Sequence, residues 1–178
     1  MRGVSGRLNV FLYYYPRVLA EFLLFGFWGL VLETLYVYFM TGAWTLRGGL
    51  AYGLPIIHIY GFGCLFLVYV LGRYRSRPVL FFTLSVVALS LVELIGSYLE
   101  QWMTGHRSWD YAGKPFNFQG RICLSTSLAW GTLAFLAVFL LYPEIRRVIA
   151  RIPRKVLVYG AVILTPYVFV ASFIKYLL

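Results

Sequence analysis

Five apolar segments limit what this chain can fold into. They cover about residues 18–40, 55–71, 79–103, 122–142 and 156–174, and the second is the shortest. A helix needs about 20 apolar residues to cross the hydrocarbon core of a bilayer. The segments therefore predict an all-α fold, a polytopic membrane helical bundle with about five transmembrane helices.

The composition also indicates a membrane protein. Of the 178 residues, 61% are hydrophobic and only 12% are charged, whereas a soluble domain has about 25% charged residues. The spans and their connections need nearly the whole chain, so we expect one integral membrane domain over residues 1–178 and no separate soluble catalytic domain. The first span is too long for a cleavable signal peptide and contains acidic residues.

The net charge of +10 predicts membrane orientation and not nucleic-acid binding, because the Lys and Arg residues cluster at the span ends. Eleven of the 16 basic residues fall on one side of the predicted spans. The positive-inside rule then places the N-terminus in the cytoplasm and the C-terminus outside. We expect a multi-pass protein of the plasma (inner) membrane, in contact with membrane lipids, with the polar segment 104–121 facing outward.

The loop at residues 143–155 combines basic residues with an apolar helical stripe. Ile145, Val148, Ile149 and Ile152 follow the i, i+3, i+4, i+7 spacing of one helix face. The pattern predicts a short interfacial helix that contacts anionic lipid headgroups. The simpler interpretation is that this helix only anchors the chain.

The two halves of the chain share an ordered pattern. Glu33 and Glu93 lie at similar depths in spans 1 and 3, and Tyr60-Gly61 in span 2 corresponds to Trp130-Gly131 in span 4. Both leading spans run in the same direction, which predicts a parallel tandem repeat of spans 1–2 and 3–4. Chance similarity in a chain rich in glycine and aromatic residues is the alternative.

Acidic residues inside the spans indicate where a site would lie. A lone charge in hydrocarbon costs about 3 kcal/mol or more, so such residues usually face the protein interior and pair. Glu93 and Glu100 are seven residues apart, within about 20° of one helix face. We expect them to pair with arginines beneath the polar segment 104–121. The alternative is that this ionic core only ties the helices together.

The candidate site is a polar ligand-binding site among aromatic residues, because converging polar and aromatic groups suit a polar ligand or a lipid headgroup. Its candidate residues are Glu33, Arg47, Tyr60, Glu93, Glu100, Arg107, Trp109, Asp110, Asn117 and Arg121. No metal site is expected, because His58 and His106 show no metal-ligand spacing and the two cysteines form no C-x-x-C motif. No cofactor is expected either, and no catalytic residue can be assigned.

These residues also carry a family resemblance, over about residues 22–145. The chain resembles the CmpB-like family of ABC-transporter type IV permeases. In the second half the matching motifs are Glu93-(x)6-Glu100, Arg107-Ser-Trp109-Asp110-Tyr111, Pro115-Phe-Asn117-Phe-Gln-Gly120-Arg121 and Ser127-(x)2-Trp130-Gly131. In the first half they are Phe25-(x)2-Trp28-Gly29-(x)3-Glu33, Arg47-Gly48 and Tyr60-Gly61.

The resemblance implies a permease-like membrane protein that handles a polar or lipidic ligand. Any ATPase would be a separate chain, because no Walker A motif is present. Two alternatives stay open. One is an intramembrane enzyme acting on a lipid headgroup, with Asp110 or Glu100 as the acid–base residue. The other is a structural accessory subunit of a larger membrane complex.

Overall fold

The structure, a computed structural model, describes residues 2–45 and 54–177, with side chains for 12–45 and 54–171. Within these residues, six helices and one small hairpin follow each other. They are α1 (Arg2–Thr41), α2 (His58–Tyr69), α3 (Pro78–Thr104), β1 (Asn117–Phe118), β2 (Ile122–Cys123), α4 (Leu124–Leu136), α5 (Tyr142–Arg151) and α6 (Arg154–Leu177). A 3-10 turn, Leu71–Tyr74, precedes α3, and a π-helical turn, Ala137–Leu141, joins α4 to α5.

The prediction of an all-α membrane bundle is confirmed. Four helical stretches among the described residues are long and apolar enough to cross a membrane: Leu12–Thr41, Pro78–Thr104, Leu124–Arg151 and Arg154–Ala171. The predicted second span corresponds to α2, which has 12 residues and is therefore about 18 Å long. This length is shorter than the hydrocarbon core of about 30 Å, so α2 alone does not reach across it.

The chain divides into two compact units. Unit 1 contains residues 1–66 and 143–178, and unit 2 contains residues 67–142. Unit 1 therefore holds α1, most of α2, α5 and α6, while unit 2 holds α3, the hairpin and α4. The prediction of one membrane domain stays a prediction.

Unit 2 is built on close packing of α3 against α4. Helix α3 begins with a proline in its first turn and ends at Gly105, whose φ of 77° forms a left-handed C-cap. Ser90 Oγ donates a hydrogen bond to Ser127 Oγ at 2.7 Å between the helices. Gly131 allows this approach, because a Cβ there would lie 2.3 Å from Val86 Cγ2. Small residues let membrane helices pack closely in this way.

We expect Gly131→Ala to lower the free energy of unfolding by about 2 kcal/mol, since overpacking of this size costs about 1–3 kcal/mol. Gly96→Ala on α3 is the matched control, because a Cβ at Gly96 meets nothing within 4 Å. Unfolding of both variants in mixed detergent micelles measures the difference. Equal stability of the two variants would show that α3 and α4 do not meet at Gly131.

In unit 1, α2 begins beside the middle of α1. The Ile57 N–H donates a hydrogen bond to the Gly26 carbonyl oxygen at 3.0 Å. Gly26 lies 15 residues before the end of α1, a distance of about 22 Å along the helix. The non-helical residues 54–57 therefore lie beside the middle of α1, far from its C-terminal end. Gly29 permits the contact, since a Cβ there would lie 2.3 Å from the Tyr60 ring.

Candidate functional site

The loop between α3 and α4, residues 105–123, has a closely held backbone. Strands β1 and β2 pair antiparallel, with Asn117 opposite Cys123. The Tyr111 N–H donates to the Gly120 carbonyl oxygen at 2.7 Å. Phe116 (φ 53°) and Gln119 (φ 52°) adopt left-handed conformations, which non-glycine residues rarely do. The loop therefore has a defined backbone conformation that can hold side chains in fixed positions.

Arg121 anchors this loop to α3. Its side chain is buried, with 9% of the residue surface exposed. Nη1 donates to the Ser97 carbonyl oxygen at 3.0 Å and to Ser97 Oγ at 2.9 Å, and Nη2 donates to Gln101 Oε1. The guanidinium lies 3.8 Å from the ring centroid of Tyr98, a cation–π contact. Nε is buried and has no hydrogen-bond partner among the described residues.

The carboxylate oxygens of Glu100 and Asp110 accept hydrogen bonds from the loop. Glu100 Oε2 accepts a hydrogen bond from the Ser108 N–H at 3.0 Å, and Oε1 accepts one from the Ser108 hydroxyl. Asp110 Oδ1 accepts from the Ala112 N–H at 2.9 Å. Both carboxylates therefore fix the backbone of the turns that follow them.

Asn117 and Trp109 also bond to the loop backbone. The Asn117 amide nitrogen donates to the carbonyl oxygens of Ala112 (3.2 Å) and Lys114 (2.7 Å), and its oxygen accepts from the Gly120 N–H at 3.0 Å. Trp109 Nε1 donates to the Arg121 carbonyl oxygen at 3.0 Å. Four candidate ligand-binding residues, Trp109, Asp110, Asn117 and Arg121, thus hold the loop together.

The expected pairing of Glu93 and Glu100 with arginines does not occur among the described residues. In the α3–α4 loop the ion pair joins Arg107 to Asp110, with Nη2 and Oδ2 3.6 Å apart and both side chains partly exposed. Glu100 bonds to Ser108 instead. The physical reason is that the loop folds back on α3 and supplies N–H and hydroxyl donors, which satisfy carboxylate oxygens without a charge.

Glu93 differs from the other acids of unit 2. It lies inside the apolar helix α3, 15 residues after Pro78 and therefore about 22 Å along it. Tyr111 Oη donates to Glu93 Oε1 at 3.0 Å, and the Trp130 indole lies within hydrogen-bonding reach of the same carboxyl. Oε2 is buried, and no well-formed hydrogen bond reaches it in the described part of the chain.

The first-half candidates lie in unit 1. Tyr60 Oη donates to Glu33 Oε2 at 2.7 Å. In the predicted repeat, Glu33 corresponds to Glu93 and Tyr60 to Trp130, so each unit places an aromatic donor beside its span glutamate. The repeat itself stays a prediction. Arg47 lies outside the described residues.

The sequence alone does not point to Ser97, Gln101 and Ser108, which accept or donate the hydrogen bonds of Arg121 and Glu100. Ser97 and Gln101 are four residues apart and so lie on one face of α3, which is the available signal. The residues that the structure describes include no group of three or more His, Cys, Asp or Glu side chains placed to hold a metal ion.

A family model described as "Putative ABC-transporter type IV" matches residues 20–176. The chain belongs to this family. The match extends beyond the resemblance found over residues 22–145 and includes α5 and almost all of α6. Neither the comparison with curated proteins nor the comparison with solved structures gives a match.

Membership and fold together identify a multi-pass, ABC-transporter-like membrane protein. The family description names no ligand. In unit 2, Glu93 and its neighbours are the residues whose geometry suits one.

Proposed function

We propose that this protein is a permease-type membrane subunit that binds a polar or lipid-derived ligand beside Glu93, on the outward side of unit 2. The observation that carries the proposal is the buried, unbonded Oε2 of Glu93 within a membrane-spanning helix. An ionised carboxylate in a span is costly, by about 3 kcal/mol or more. A ligand with a cationic or hydrogen-bond-donating group would offset this cost.

The surroundings of Glu93 suit such a ligand. Tyr111 and Trp130 place aromatic rings beside the carboxyl, and aromatic faces attract organic cations. Lys114 Nζ lies 5.9 Å from the Tyr111 ring centroid and is exposed, so it is available to an anionic group of the same ligand. A zwitterionic or amine-bearing molecule, such as a lipid headgroup, matches this combination of charges.

The two alternative functions receive less support. An enzyme using Glu100 or Asp110 as acid–base residue would need a carboxyl free to exchange protons with a substrate, whereas both bond to loop backbone N–H groups. A purely structural role fits Arg121, whose two terminal nitrogens both bond to α3, but it leaves the Glu93 Oε2 atom unexplained. Binding is therefore the better interpretation of this unit.

The family assignment also supports a separate ATPase as partner, because the chain itself has no nucleotide-binding motif. We further propose a location in the plasma (inner) membrane, with a cytoplasmic N-terminus and an outward C-terminus. This orientation takes the segment that ends in α2 as a fifth crossing, and the excess of basic residues on one side of the five crossings supports it.

We expect Glu93→Gln to reduce the amount of co-purified ligand about tenfold, since a charge-assisted hydrogen bond is roughly twice as strong as a neutral one. The protein would be extracted from its native membrane in mild detergent, and mass spectrometry would quantify bound small molecules and proteins. Glu144→Gln on α5 is the matched control, because that carboxylate is exposed and pairs with Arg147.

We expect the wild type and Glu144→Gln to retain the same small molecule and Glu93→Gln to lose it. Equal retention by all three proteins, or a wild type with no bound small molecule, would exclude a ligand site at Glu93. Co-purification of an ATPase tests the proposed partner in the same sample.

A further inference from the structure

Unit 1 contains an open-sided cavity that the proposed function does not use. Its volume is about 560 Å³, within the range of about 300–1,000 Å³ typical of ligand pockets. The lining comes from α1, α2 and α6 and includes Tyr15, Leu19, Phe22, His58, Thr165 and Val168. Tyr15 Oη and Thr165 Oγ1 are hydrogen-bonded to each other at 2.6 Å. A mainly apolar occupant fits this lining.

A basic surface lies in the same unit, on α5 and the start of α6. A helix, α5, is present where the sequence predicted one. Of its apolar stripe, Ile145 (3% exposed) and Ile149 (1%) pack against protein, whereas Val148 is 49% exposed. The basic side chains Arg147, Arg151 and Arg154 are exposed. Because the fold covers Ile145 and Ile149, the exposed surface of α5 is mainly charged, with Val148 as an exposed apolar side chain.

Arg154 places the basic surface on the same face of α6 as the cavity. It lies 11 residues, or about three turns and 16 Å, before the cavity residue Thr165. Its guanidinium lies 4.3 Å from the ring centroid of Tyr13 on α1. We propose that unit 1 binds one anionic phospholipid, with an acyl chain in the cavity and its phosphate among the basic residues at the end of α5 and the start of α6.

Two features favour a phospholipid as the occupant. Helices α1 and α6 are both candidate membrane spans, so a cavity between them is within reach of acyl chains. Arginine guanidinium groups bind phosphate through paired N–H donors, and basic groups beside a span attract anionic lipids. An uncharged or zwitterionic lipid would fill the cavity with its acyl chain but would not neutralise the basic side chains.

The acyl-chain part is tested with full-length protein in nanodiscs containing equal amounts of phosphatidylglycerol and phosphatidylcholine with identical chains. Native mass spectrometry measures the lipid retained after release from the disc. We expect Val168→Phe, which fills the cavity, to lower retention at least fivefold. Val162→Phe is the matched control, because Val162 lies on the same helix and is 68% exposed. Val18→Phe, at another lining position, replaces Val168→Phe if that variant does not fold.

The headgroup part is tested with Arg151→Gln/Arg154→Gln. We expect wild type to retain phosphatidylglycerol in preference to phosphatidylcholine, and this double variant to reduce the preference about tenfold. Arg73→Gln/Arg77→Gln removes two exposed cations from unit 2 and should leave the preference unchanged. Equal retention of both lipids by wild type, or retention unaffected by cavity filling, would overturn the proposal. An equal loss of preference in both double variants would also overturn it, since it would indicate a general surface charge effect.

Discussion

Arg121→Met is expected to lower the free energy of unfolding by about 3–4 kcal/mol. The substitution keeps an unbranched side chain of similar length but removes three hydrogen bonds, to the Ser97 carbonyl oxygen, Ser97 Oγ and Gln101 Oε1. Hydrogen bonds to charged groups contribute about 1.5–3 kcal/mol each, and buried acceptors left without donors add a further cost. Removing the buried guanidinium also removes its desolvation penalty of several kcal/mol, which offsets part of this loss. Unfolding in mixed micelles, followed by tryptophan fluorescence, measures the change.

Arg107→Met provides the comparison for that measurement. Arg107 belongs to the same loop, but its contact with Asp110 is long, at 3.6 Å, and partly exposed. Such pairs contribute about 0–1 kcal/mol. Its hydrogen bond to the Gln119 carbonyl oxygen, at 3.2 Å, is also exposed. If the two variants lost the same stability, Arg121 would not be the anchor between the loop and α3.

Gly120→Ala is expected to cost about 3 kcal/mol. Gly120 has a φ of 68°, and a non-glycine residue held there costs about 1–3 kcal/mol. A Cβ at this position would also lie 2.3 Å from Asp110 Oδ1 and 3.3 Å from the Ala112 nitrogen. The substitution therefore combines backbone strain with displacement of the Asp110 side chain.

Gly113→Ala, in the same loop, is the control for this effect, because a Cβ there meets nothing within 4 Å. Combining Gly120→Ala with Asp110→Ala should cost less than the sum of the single changes, because contacting residues do not act additively. Full additivity, or a Gly120→Ala variant as stable as Gly113→Ala, would rule out the contact between Gly120 and Asp110.

The membrane fold was predictable because apolar length alone selects spanning helices. The segment predicted at residues 79–103 became α3, Pro78–Thr104, where a proline start and a glycine cap reinforce the apolar run. The predicted span 55–71 began too early. Residues 54–57 are not helical, and the Ile57 N–H bonds to Gly26 of another helix. Only the tertiary structure supplies that partner.

The sequence indicated which polar residues of unit 2 would lie near one another, but not which hydrogen bonds they would make. The polar loop and the glutamates of α3 lie in one unit, as their proximity in the sequence indicates. The hydrogen-bond partners of the carboxylates differed from the predicted arginines, because a sequence does not reveal which donor reaches which carboxylate. Asp110 and Asn117 bond to backbone groups within five residues of themselves. Short polar side chains commonly make such local hydrogen bonds, so these contacts were predictable from the sequence.

The most direct test of ligand binding at Glu93 is a side-chain-resolution density map of wild-type protein purified in nanodiscs from its native membrane. Binding predicts non-protein density within hydrogen-bonding distance of Glu93 Oε2, beside Tyr111 and Trp130. The same map for Glu93→Gln should lack that density. A wild-type map in which Glu93 contacts only protein atoms, with both oxygens bonded, would contradict a ligand site there.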